Sequence, residues 1–149
     1  MSLPGIFLAS ILPLLGIVYL AKRGYHREMR EELRIRRLFL TSIGLTIMIL
    51  GEYYKRLGLE RLYRGSIAYG FSTFIIGLTT MLGHKASVHV FARSASGAIE
   101  LAISPVIGLT FLTIALISGV SRLKTGAHTI PQVVSGFLIG LIGFIVVMR

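Results

Sequence analysis

The chain reads as an all-α, polytopic membrane protein: one domain, residues 1–149, folded as a bundle of six transmembrane helices. Two observations predict this. Hydrophobic residues fill 54% of the 149 positions and the mean hydropathy is +0.78, which leaves much surface for lipid and little for water. Charge-free runs also recur along the chain, most of them close to the ~18 or more residues that a helix needs to cross hydrocarbon.

The first span is 4–21. No basic segment precedes Pro4 and no small-x-small pattern precedes Lys22, so it reads as a retained helix and not as a cleaved leader. Lys22 to Arg37 follows, with Arg and Glu at spacings that permit i,i+4 pairs, as in a helical connector lying on the membrane. The second span, 38–54, is an apolar run lengthened by Glu52, Tyr53 and Tyr54 at the interface. A short connector with Gly58 leads into the third span, 65–83.

The next stretch is moderately apolar yet holds His89, Arg93 and Glu100. Residues 86–103 are read as a span because their length gives about 27 Å of helix, enough for a tilted crossing. Glu100 is read there as a buried structural partner. Ser104 and Pro105 make an N-cap and first helical position for the fifth span, 105–120. The sixth span, 129–148, carries Gly136 and Gly140 as a GxxxG pair, assigned to packing inside the bundle in preference to a homo-oligomer. In this topology residues 22–37, 84–90 and 121–128 share one membrane face.

Several chemistries are excluded. There is no cysteine, so no disulfide or thiolate metal site; all six acids are Glu, so a carboxylate-rich metal site is not expected and neither is a cofactor. The net charge of +10 sits at span ends, where it meets anionic headgroups of membrane lipids and not nucleic acid.

The residues left to carry chemistry fall in two clusters. In Ser121-Arg122-Leu-Lys124-Thr-Gly126-Ala-His128-Thr-Ile-Pro131-Gln132, Gly126 and Pro131 predict a turn and then a helix start. That places His128 at a helix N-terminus, which favours an anion and a neutral imidazole able to attack it. Gln132, one turn on, is placed to accept the ring N–H of His128 and fix its tautomer. In the other cluster Lys85, His89 and Arg93 form a basic stripe at helical spacing. His89 suits a general acid, while Lys85, Ser87 and Arg122 suit a phosphoryl cradle. His26 and His84 are left unassigned, since a lone histidine at a span end is usually structural.

These residues resemble the motifs of the phosphatidic acid phosphatase type 2 superfamily of lipid phosphatases. Its Ser-Arg-x5-His-x3-Asp motif is matched by Ser121, Arg122 and His128, with Gln132 in the Asp place. Its Pro-Ser-Gly-His motif is matched in part by Ala86, Ser87, Val88 and His89. The Lys-x-Ser-x-His and His-Thr-x-x-Gln-Val patterns of short prokaryotic relatives are met by Lys85-x-Ser87-x-His89 and His128-Thr129-x-x-Gln132-Val133. The Lys-x6-Arg-Pro motif is matched at its spacing by Arg30 and Arg37, with Arg for Lys and Leu38 for Pro; Arg23 with Arg30 and Arg27 with Arg34 have the same spacing, and Arg37 is preferred because it abuts the second span. The resemblance implies a metal-independent hydrolase acting on a lipid-linked phosphate or polyprenyl diphosphate, with a phosphohistidine on His128 and water as final acceptor. Gln132 departs from the pattern: an amide orients the imidazole but does not stabilise its positive charge, which implies slower turnover or a different substrate range. The distribution of Lys and Arg puts the site on the cytoplasmic side of the cell membrane. A catalytically silent bundle that binds or transports an anionic lipid is the alternative reading.

Overall fold

A computed structural model describes residues 29–148, and all of the regular structure among them is helical. The helices are α1 (Met29–Arg56), α2 (Glu60–Met81), α3 (Val88–Leu101), α4 (Pro105–Lys124) and α5 (Ile130–Met148). The expected span 4–21 lies outside the described residues, as does His26.

The all-α expectation holds, but the six-span bundle does not. Among the described residues five helices are present, and α4 alone is long and apolar enough throughout to cross a membrane; Ile130–Gly143 is a shorter apolar stretch. The reasons lie in each helix. Residues 38–54 are the later part of the 28-residue α1, which runs without a break from the charged connector. The α2 helix, where 65–83 was expected to span, is diluted by Ser72, Thr73 and Thr80, all buried. Thr73 and Thr80 hold their hydroxyls inside by donating to the carbonyls of Tyr69 (2.7 Å) and Ile76 (2.8 Å).

The expected span 86–103 is the largest miss. The α3 helix has 14 residues, about 21 Å against the roughly 30 Å of a hydrocarbon core. It is trimmed at both ends. The Ser87 N–H, which would otherwise lie within a longer helix, donates to the Gln132 carbonyl at 2.8 Å. At the other end Ser104 is extended ahead of Pro105, as a residue before proline prefers, so the helix closes at Ala102.

Helix pairs meet through small residues. The α1/α2 seam is antiparallel: a Cβ on Gly44 would fall 2.6 Å from the Phe74 nitrogen, and one on Gly77 would fall 2.9 Å from the Thr41 nitrogen. The α3/α4 seam is also antiparallel, Gly97 lying against Leu112 and Gly108 against Leu101. The α3/α5 seam is parallel, Gly136 against the Ser87 backbone and Gly140 against Ser94 and Ala95, which is the packing role expected of the GxxxG pair. Leu40, Ile76, Ala86, Phe91, Ala95 and Ile139 form the core, with the Tyr69 and Phe91 rings 6.0 Å apart.

The start of α1, the 82–87 turn, the end of α4 and the start of α5 therefore lie at one end of the bundle. The reversal that a full span was expected to make is made by a helix too short to cross.

Candidate functional site

The site is built where α3, α4 and α5 converge at that end. A Cβ on Gly119 of α4 would lie 2.8 Å from Val133 of α5 and 3.8 Å from Val90 of α3. His89 precedes Val90, Gln132 precedes Val133, and Arg122 lies one turn beyond Gly119, so the junction gathers parts of both sequence clusters.

The turn after α4 sets His128. Gly126 takes φ +68°, a left-handed conformation that costs glycine nothing, and this folds the chain back over the helix end. The N–H groups of Ala127 (3.1 Å) and His128 (3.3 Å) both donate to the Arg122 carbonyl. The α5 helix then begins at Ile130 with Pro131 in its first turn.

Gln132 is the hub. Its Oε1 accepts the Thr129 N–H at 3.2 Å, and because a backbone N–H can only donate, this identifies the oxygen of the amide. The same Oε1 lies 3.1 Å from His128 Nδ1, so Nδ1 carries the proton and donates. Neutral His128 therefore presents an unprotonated Nε2, the tautomer expected from the sequence. The Gln132 carbonyl in turn accepts the Ser87 N–H at 2.8 Å and the Ser135 hydroxyl at 3.2 Å. With its one proton so used, Ser135 Oγ accepts from His84 Nε2 at 2.7 Å.

His84 and Ser135 were not expected here. They are 51 residues apart, and only the parallel docking of α3 on α5 brings the 82–87 turn against α5. Gly83, at φ +89°, makes that turn.

The other expected residues are distributed as follows. Arg122 is half-buried in the last turn of α4. His89 is exposed in the first turn of α3, on the side towards α4. One turn on, Arg93 Nη1 donates to the His89 carbonyl (3.0 Å) and across the seam to Ser118 Oγ of α4 (3.1 Å). Lys85 is half-buried in the 82–87 turn, before the helix begins, so the basic stripe on α3 is His89 and Arg93 without it. Ser87 is the N-cap of α3 but makes no cap bond through its side chain, and its hydroxyl is wholly buried without a hydrogen-bond partner. It does not lie open to a cradled anion in this arrangement. Arg30 and Arg37 lie in the first turns of α1. Pairing of Thr41 with Gly77 sets Arg37 near the end of α2, and Arg30 lies about two turns further out. Glu100 is half-buried near the opposite end of α3 and forms no ion pair among the described residues, against the buried partner expected.

The arrangement offers one oriented imidazole, a second imidazole one helix away and two guanidinium groups, at a junction of helix ends. Comparison of the chain with protein-family models, curated proteins and solved structures finds no match.

Proposed function

We propose that the protein is a metal-independent phosphatase of lipid-linked phosphate or diphosphate, working through a phosphohistidine on His128. The observation that carries this reading is the clamp on His128: Gln132 Oε1, identified by the Thr129 N–H, holds the proton on Nδ1 and leaves Nε2 free to attack.

In the first step the Nε2 lone pair forms a bond to phosphorus while the bond from phosphorus to the ester or bridging oxygen breaks. That oxygen keeps the electron pair and takes a proton from His89. In the second step His89 removes a proton from water, the oxygen attacks the phosphorus, and the P–N bond breaks to release phosphate and regenerate His128. Arg122 meets the charge on the equatorial oxygens, and the unpaired N–H groups at the start of α5 add to it. Lys85 supplies further positive charge at the same end, where the backbone of α1 also carries positions 30 and 37.

The α4 helix, with Val106 76% and Ile117 64% exposed, suits a lipid-facing element that holds the site at the membrane surface. Among the described residues Lys and Arg concentrate in 30–37, 85–93 and 122–124, and this excess favours the cytoplasm for this end.

One observation favours the other reading, a silent binder of anionic lipid: the covered Ser87 hydroxyl. A single assay separates the two. Purified protein in detergent with a chelator is given an isoprenyl diphosphate or phosphatidic acid, beside the His128→Ala variant. The expected outcome is phosphate release, with an acid-labile phosphoryl group on the wild-type protein and a loss of about 10³-fold or more in the variant. Equal background from both proteins would remove the phosphatase reading.

A further inference from the structure

Arg93 is the group that the proposed chemistry leaves unused. It is half-buried on α3, and among the described residues no carboxylate pairs with it. Its Nη1 is held by the His89 carbonyl and Ser118 Oγ, while Nε and Nη2 have no partner among the described residues. A guanidinium has five N–H donors in a fixed fork, so this one is oriented by one edge and open along the other.

Its depth is informative. Because α3 and α4 run antiparallel, the steps from His89 to Arg93 and from Arg122 to Ser118 both lead inward from the end of the bundle, each by about 6 Å. At this level α4 turns Ile117 and Val120 outward, 64% and 52% exposed. Arg93 stands in the seam behind these outward apolar side chains, and a cation held at this depth beside an apolar helix is costly; such groups mark ligand paths.

A lipid diphosphate has the matching layout. Its terminal phosphate is the far end of the molecule from the tail, and its tail-side phosphate lies one step nearer the hydrocarbon. We infer that Arg93 binds the tail-side phosphate of a lipid diphosphate whose terminal phosphate lies against His128 and Arg122, so that the preferred substrate is a diphosphate and not a monophosphate. This rests on the function proposed above. Ser118 acts as the positioning residue, aiming the fork by accepting from Nη1.

The test compares an isoprenyl diphosphate with the matching isoprenyl monophosphate in detergent micelles. Turnover is measured on the wild type, Arg93→Ala, Arg93→Lys and Ser118→Ala, and equilibrium binding of the same two lipids is measured on His128→Ala with and without Arg93→Ala. The expected result is that Arg93→Ala lowers kcat/KM for the diphosphate by about 10² to 10³ and for the monophosphate by less than about threefold. The retained monophosphate activity reports that the variant is folded. Arg93→Lys and Ser118→Ala are expected to fall between, since each keeps a charge but loses the aimed fork.

Equal losses on both substrates, or no loss on either, would overturn the role of Arg93 and leave the phosphatase standing. If the wild type releases no phosphate yet binding prefers the diphosphate through Arg93, the phosphatase falls and the diphosphate site survives. Absence of both turnover and preference sinks both.

Discussion

Gln132 does two jobs with one oxygen. As the third residue of α5 it reaches back to the Thr129 N–H, the half of a capping box that such a position commonly supplies, and it receives the His128 ring proton with the same atom. The two jobs separate on substitution. Gln132→Ala should cost about 1 kcal/mol of stability, seen as a lower midpoint in thermal unfolding, and should lower phosphate release by about 10²-fold or more because the imidazole loses its fixed tautomer. Gln132→Glu keeps the reach and both hydrogen bonds, adds charge where a helix N-terminus welcomes it, and compensates the imidazolium that forms on phosphorylation. It should raise the midpoint and increase kcat; a kcat no higher than that of the wild type would show that charge compensation does not limit turnover. The His128–Gln132 pairing was legible in the sequence because Gly126 and Pro131 announced where the helix starts, although His128 sits in the turn just before α5 and is reached by Gln132 turning back from the third helical position. The links from His84 to Ser135 and from Arg93 to Ser118 were not, since each joins side chains that only the docking of separate helices brings together.

At the scale of the helices, the seams rather than the apolar faces decide the fold. Gly136 rests on the Ser87 backbone, where a Cβ would lie 2.5 Å from the carbonyl oxygen, a collision with main chain that no rotamer relieves. Gly136→Ala should therefore lower stability by about 1–3 kcal/mol and weaken the Ser87–Gln132 bond. Gly65, whose Cβ would meet only Ile99 at 3.7 Å, is the control. Gly65→Ala should be neutral or stabilising by up to about 1 kcal/mol, because alanine is the better helix former. Calorimetry or thermal scattering in detergent checks both, and equal effects would show that the seam is looser than its geometry. The positions of the helices were readable from runs of apolar residues, but the membrane crossings were not. Apolar runs do not distinguish an outward face from a core: α2 buries Ser and Thr that bond to its own backbone, and α3 ends where a proline and a long-range hydrogen bond stop it.

For the molecule as a whole, α4 is the element least committed to the core. It touches α3 and α5 through Gly108, Ala115 and Gly119 and turns its large side chains outward. Leu116, 57% exposed near the middle of the α4 helix, is the place to test whether those side chains meet lipid. Leu116→Lys should reduce membrane integration by about 2.5–3.5 kcal/mol on an insertion scale, read by carbonate extraction or a glycosylation reporter, with little change expected from a lysine at Thr125 in the turn beyond the helix. An unchanged membrane fraction for Leu116→Lys would remove the case for α4 as a crossing. The contrast between the seams has a mechanical outcome. Where α3 touches α5 at Gly136 and α4 at Gly108, main chain meets main chain with no cushion of side chains to rearrange, so α3 is bound to travel with both neighbours. Any parting wide enough to admit a bulky guest is left to the line between α4 and α5, where Gly119 meets only the Val133 side chain.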